Sequence, residues 1–206
     1  MKPTKHEIER FTVAERLVHW LVALSFLYAA LSGLALWSPR LYWLAAVFGG
    51  GSTVRGWHPW AGVIFAVVFA AMFRAWRAQM RLDAADREWL RQARRYAVHD
   101  EAGMPEAGRF NAGQKSLFWM QSASGVLLLA SGVVLWWPEA MPRLLRLAAI
   151  LVHPVAAAAS IAGLIVHIYM GTAAVPGALR GMTRGWVTRS WARSHHPKWF
   201  REAGGG

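Results

Sequence analysis

The sequence predicts an all-α fold: an integral membrane four-helix bundle with both termini in the cytoplasm. Three observations predict it. The composition is 55% hydrophobic, with 13 tryptophans in 206 residues, too apolar for an ordinary soluble domain of this size. Four windows, residues 17–37, 57–73, 116–137 and 147–179, contain no Asp, Glu, Lys or Arg, and a spanning helix needs about 20 apolar residues. The basic residues fall mainly on alternate connections.

Each element follows from its own stretch. The first helix, about residues 14–37, comes after the basic start "MKPTKHEIER". Its apolar run is too long for a signal peptide and no small-residue cleavage site closes it, so it reads as a mature helix. The stretch 41–48 is aromatic and reads as a short interfacial helix, followed by a glycine turn. The second helix, about 56–80, has a short apolar window whose flanking Arg74 and Arg77 can snorkel to the interface. A charged connection follows, helical in its first half and a Gly/Pro loop at its end. The third helix is about 114–137. The fourth is about 144–176, with Pro176 marking its end. A basic, aromatic tail occupies 177–206. Residues 1–206 thus read as a single membrane domain.

Nineteen Lys and Arg lie on one set of connections: Lys2, Lys5, Arg10 and Arg16, nine more from Arg74 to Lys115, and six from Arg180 onward. Four, Arg40, Arg55, Arg143 and Arg146, lie on the other. The positive-inside rule then puts the termini in the cytoplasm. The net charge of +12 is accounted for by topology and anionic lipid rather than nucleic acid. The chain has no cysteine. That excludes a disulfide, a thiolate-ligated iron–sulfur cluster and c-type haem attachment, so any redox chemistry needs another cofactor.

Eight histidines are present. His6, His99, His195 and His196 stand in polar segments and read as solvated. His19, His58, His153 and His167 stand in or beside apolar helices, where an ionisable residue is a functional hypothesis by default. A single one could merely hydrogen-bond a neighbouring helix. Four at matched depths argue against that: the topology puts His58 and His153 toward the outer side, His19 and His167 toward the inner. His153 and His167 lie about 21 Å apart along the axis and about 40° apart around it. Between them on that face are Ala156, Ala157, Ser160 and Gly163. His19 is followed on its face by Ala23, Phe26, Ala30 and Gly33, and His58 by Ala61, Gly62 and Phe65. Small residues leave room for a flat, bulky group, and bis-histidine haem b fits. A structural zinc site needs four ligands at one point, whereas these histidines divide between two levels. Pro59 reads as a first-turn proline, and Pro154 as a kink deeper in the fourth helix. "ASG" occurs at 123–125 and again at 130–132, a spacing that puts small residues on one close-approach face.

The stretches "ERLVHW", "LSGLALW", "GWHPWAG", "GRFNAGQKSLFW", "ASGVVLWWP", "LIVHIYM" and "SWARSHHPKWFRE" together resemble the gamma subunit of membrane-bound respiratory formate dehydrogenases, a di-haem cytochrome b. The resemblance spans nearly the whole chain; "FNAGQK" and "HHPKWFRE" are its most specific pieces. Cytochromes b of hydrogenases and thiosulfate reductases share the general plan. The resemblance implies a subunit of the bacterial plasma (inner) membrane, working in anaerobic respiration and transferring electrons without itself oxidising formate. Its partners would be an external molybdenum- or tungsten-dependent catalytic subunit and an iron–sulfur subunit. It implies two haem b groups, the outer held by His58 and His153 and the inner by His19 and His167. It implies quinone reduction, with menaquinone or ubiquinone, at Asn111, Gly113 and Gln114 near the cytoplasmic face. Asn111 is also a good helix N-cap with Gln114 at the capping-box position, so capping alone or capping with quinone contact remain open. Two rivals stand beside this reading: the same fold serving a hydrogenase or other quinone-linked oxidoreductase, and a haem-free membrane anchor or transporter.

Overall fold

A computed structural model describes residues 4–98, 100 and 103–204; His99 lies outside them. Four helices are long and apolar enough to cross a membrane. In chain order the elements are strand β1 (Glu7–Glu9), α1 (Val13–Trp37), α2 (Leu44–Val47), α3 (Gly51–Trp76), α4 (Ala84–Arg91), α5 (Ala93–Ala97), α6 (Ala112–Trp136), α7 (Arg143–Tyr169), α8 (Ala178–Arg184), strand β2 (Trp186–Thr188), α9 (Arg189–His195) and α10 (Pro197–Glu202). The long helices are α1, α3, α6 and α7, the last extended by a wider π turn over Met170–Ala174. The fold is all-α apart from the two short strands, which the sequence reading did not anticipate.

Helix α3 begins at Gly51 and ends at Trp76, not at about 56 and 80. Gly49 and Gly50 take positive φ and make the turn, and Val54 N–H already bonds to Gly50 O. The hydroxyl of Tyr42 lies over Gly51, 1.9 Å from where a Cβ would stand. This earlier start corrects the reading of Pro59, which lies inside α3 as Pro154 lies inside α7. A proline there removes an N–H from the backbone ladder.

The chain divides into two compact units. A membrane unit contains Leu17–Arg74 and Met120–Leu164; a polar unit contains Met1–Arg16, Ala75–Trp119 and Ile165–Gly206. The membrane unit exposes large aliphatic side chains, and its interior combines small and polar residues with a few large ones such as Phe26, Phe65 and Met72. Leu24, Val67, Val126 and Val155 are exposed, whereas Ser32, Ala35, Ser124, Ser131, Ala156 and Ser160 are buried. Lipid is as apolar as leucine, so nothing drives large aliphatic side chains inward, and helices approach through small ones. Ser124 and Ser131 are the serines of the repeated "ASG", and both face the interior. Short α2 packs Ala45 against Ala35 and Val54.

In the polar unit β1 pairs antiparallel with β2, Ile8 opposite Val187, which ties the N-terminal arm to the tail. Arg16 donates to the carbonyls of Met182, Thr183 and Arg184, the last turn of α8, a cation placed at the negative helix end. Arg109 donates to Arg10 O at 2.6 Å and to both oxygens of Glu15 at 2.8 and 2.9 Å. Tail residues Val187, Ala192, Trp199 and Phe200 form a buried apolar cluster. The tail is therefore a folded element.

His196, read as solvated, is 2% exposed. Its Nδ1 lies 2.7 Å from Gly108 O and its Nε2 2.9 Å from Arg10 Nη2. Arginine can only donate, so Nε2 accepts, and Nδ1–H donates to the carbonyl. The imidazole is neutral in this arrangement. Burial and the neighbouring Arg10 push its pKa well below the ordinary histidine range. Arg10 is itself buried over Trp191 at 4.6 Å. Its pKa is pulled to about 9, by burial first and then by Arg109, which leaves it charged at neutral pH. His6 is exposed, as expected, and His195 is half-buried.

Candidate functional site

Of the four histidines in the apolar helices, the structure brings His58 and His153 together inside the membrane unit. Their ring centres are 6.2 Å apart and their planes are inclined at 77°. Two imidazoles bound to one metal from opposite sides, each by a bond of about 2 Å, have ring centres about 6 Å apart. Each ring is held from the preceding long helix in the same way. Ser32 Oγ on α1 lies 2.9 Å from His58 Nδ1, and Ser131 Oγ on α6 lies 2.9 Å from His153 Nδ1. The serine hydroxyls have their own acceptors in the helix behind them: Ser32 reaches Ala29 O at 3.1 Å, and Ser131 reaches Leu127 O at 2.6 Å. A hydroxyl carries one proton. With that proton on the carbonyl, the serine oxygen accepts from Nδ1–H, and the Nε2 lone pair is left for a metal.

The glycine after each serine completes the device. A Cβ on Gly33 would stand 3.1 Å from His58 Cε1, and one on Gly132 would stand 3.4 Å from His153 Cε1. Both imidazoles thus sit in cradles that a side chain would crowd. On α7 the face of His153 continues through buried Ala156, Ser160 and Gly163. Ser160 Oγ is buried without a hydrogen-bond partner among the described residues, and Gln121 Nε2 donates to Ser160 O at 3.0 Å. Two fixed neutral imidazoles, small residues beside them and open Nε2 lone pairs suit a bis-histidine haem iron. The sequence reading found the histidines but not their serines.

His19 stands on α1 in the membrane unit and His167 near the end of α7 in the polar unit. Both occupy the ends of α1 and α7 opposite to the ends that carry Ser32 and His153.

Asn111, Gly113 and Gln114 form the start of α6 in the polar unit. Gln114 N–H donates to Asn111 Oδ1 at 2.9 Å, and Asn111 N–H donates to Gln114 Oε1 at 3.0 Å. This is the reciprocal capping box that the residue types suggested. It uses both amide oxygens, so the groups left to meet a ligand are NH₂ donors. Asn111 Nδ2 lies 3.5 Å from the Tyr96 hydroxyl. Trp89 packs 4.9 Å from Tyr96, ring centre to ring centre, and borders Gly113. These two aromatics come from α4 and α5. Nothing in their local sequence marks them as neighbours of Asn111; only the fold does.

The geometry thus defines a class: a multi-pass membrane protein with two facing imidazoles inside its membrane unit, spaced as two ligands of one metal would be. Comparison with known proteins makes it specific. A sequence profile described as prokaryotic cytochrome b561 matches residues 10–185. The formate dehydrogenase cytochrome b556(fdo) subunit of Escherichia coli K12 is 39% identical over 200 residues, covering 95% of this chain and 92% of the relative. The nitrate-inducible formate dehydrogenase cytochrome b556(Fdn) subunit of the same strain is 33% identical, covering 95% and 91%. The formate dehydrogenase cytochrome b556 subunit of Haemophilus influenzae is 33% identical, covering 95% and 83%. The chain belongs to the prokaryotic cytochrome b561 family and, within it, to the cytochrome b subunits of formate dehydrogenases. Membership implies haem b.

Proposed function

We propose that this chain carries electrons from an external formate dehydrogenase, by way of an iron–sulfur subunit, through two haem b groups to a quinone at the cytoplasmic face of the bacterial inner membrane. The observation that carries the reading is the facing pair His58 and His153, each with its Nδ1 2.9 Å from a serine oxygen. Haem iron supplies one-electron chemistry at each position. His58 and His153 hold the outer group, fed by the partner subunit. His19 and His167 hold the inner one. Asn111 and Gln114 hold the quinone carbonyls through their NH₂ groups, with Gly113 allowing close approach. The split of 19 basic residues against four supports this orientation, with electrons moving inward and protons taken up from inside. The absence of cysteine supports a donor on another subunit.

The test is the haem content of the intact complex. Two low-spin haem b groups per chain are expected. His58→Ala or His153→Ala should remove one spectral component, and His19→Ala or His167→Ala the other. A ratio of one haem or none in the fully loaded complex overturns the reading.

A further inference from the structure

Quinone reduction consumes two protons with its two electrons. The groups assigned to the quinone above, amides and a glycine, have none to give. The proposal here rests on that assignment and asks where the protons come from.

Lys115 lies one residue beyond Gln114 and one helical turn beyond Asn111, its backbone N–H bonded to Asn111 O at 3.0 Å. Residues four apart share a helix face, so its side chain rises from the turn that carries the candidate quinone donors. It is 9% exposed and its ammonium donates to Asp86 Oδ2 at 2.6 Å, Asp86 being 8% exposed. Asp86 comes from α4, where its carboxylate also accepts from Asp83 N–H at 2.9 Å. This nearly buried pair borders open space. Two cavities of about 350 and 340 Å³ share Gly108, Lys115 and Lys198. The first is also lined by Asp83, Asp86 and Glu106. Lys115 thus joins a cavity of about 350 Å³, roomy enough for several waters, to the helix turn of the candidate quinone donors.

We propose that Lys115 is the proton donor to the quinone and that Asp86 positions and recharges it. As two electrons arrive from the haem, the Lys115 ammonium gives a proton to a quinone oxygen; an N–H bond breaks and an O–H bond forms. The neutral amine then sits beside an ionised, nearly buried Asp86, and that uncompensated negative charge draws the next proton from the cavity water back to the amine. A second pass completes the quinol. The balance is one quinone, two electrons from the haem and two protons from cavity water.

Lys115→Arg separates this role from a purely structural one. Arginine keeps the ion pair with Asp86 but does not release its proton at working pH. In the intact complex, haem is reduced by the dehydrogenase and its reoxidation by a short-chain quinone is followed by stopped flow. Lys115→Arg is expected to slow reoxidation roughly 100-fold, the usual worth of a general acid, with haem content and haem reduction unchanged. Asp86→Asn should slow it, because no carboxylate is then left to draw the next proton back to the amine. If Lys115→Arg turns over at the wild-type rate, the pair is a structural pin and the proposal fails. If that variant loses haem, Lys115→Ala with added alkylammonium ions decides: rescue that follows the amine supports the proposal, and no rescue overturns it. Failure of the quinone assignment itself looks different, because Asn111→Ala with Gln114→Ala would then leave quinone reduction unchanged.

Discussion

Replacing Ser32 with alanine probes the His58 and His153 site through a residue that never touches the metal. Ser32 is fully buried, and its oxygen is the acceptor 2.9 Å from His58 Nδ1. Without it, the Nδ1–H keeps only the Ala29 carbonyl as acceptor and loses a hydrogen bond worth about 0.5–1.5 kcal/mol. The ring can relieve this by moving the proton to Nε2, but that removes the lone pair that iron needs. Partners of this kind are worth about 10–100-fold in metal affinity. The N–H bond also makes the imidazole a stronger donor and favours oxidised iron. If it favours that form by about 1 kcal/mol, its loss raises the midpoint potential by about 40 mV. Ser131→Ala should act on the same haem in the same direction, since it holds the facing ligand. Ser32→Thr keeps the hydroxyl and should be close to wild type. Gly33→Ala should lose more haem than Gly132→Ala, because its Cβ meets the ring at 3.1 rather than 3.4 Å. The assay is haem content by pyridine haemochrome together with a potentiometric titration, with the proposed inner haem as internal control. Should both serine variants hold full haem at wild-type potentials, the tautomer argument is wrong.

Two further outcomes follow from the polar unit. His196 is held neutral, its pKa depressed by burial and Arg10. Docking of the tail should therefore be fully stable above about pH 6.5, the ordinary histidine value, and weaken as pH falls below it toward the depressed folded value. Tryptophan fluorescence or limited proteolysis of the tail between pH 8 and 5 reads this. His196→Gln can keep both bonds without titrating and should flatten the profile; a flat wild-type profile would refute the account. At the start of α6, Asn111→Asp keeps the cap but removes the NH₂ donor, whereas Asn111→Ala loses both, at about 1 kcal/mol for the cap. Quinone reduction that is slowed in both variants identifies quinone contact. Activity retained in Asn111→Asp reduces the residue to a cap.

How much could be read without coordinates depends on how far apart the interacting residues lie. The four spans were legible because a bilayer sets a length, and the histidines were legible because an imidazole is conspicuous among aliphatics. The Asn111–Gln114 box was legible because its partners are three residues apart. The serines were half legible. "ASG" was visible as a close-approach motif and Ser32 was not singled out at all, because Ser32 meets His58 across 26 residues and Ser131 meets His153 across 22. The missed signal was one of depth: in both hairpins a Ser-Gly near the end of one helix faces a His-Pro in the next.

His196 was illegible for a stronger reason. Its neighbours in "RSHHPK" are polar, and local composition reads as solvent. What buries it are Gly108 and Arg10, 88 and 186 residues away. Those contacts exist because a three-residue strand at each end of the chain pairs the arm with the tail. His196 in turn holds the carbonyl of Gly108, three residues before Asn111. Arm, tail and the start of α6 are therefore one mechanical unit. A lesion in the tail should reach Asn111 and Gln114, the proposed quinone donors. On the proposed function the two sites are separable by mutation: Ser32 and Ser131 act on the His58 and His153 pair, and the start of α6 acts through Asn111, Gln114 and Lys115.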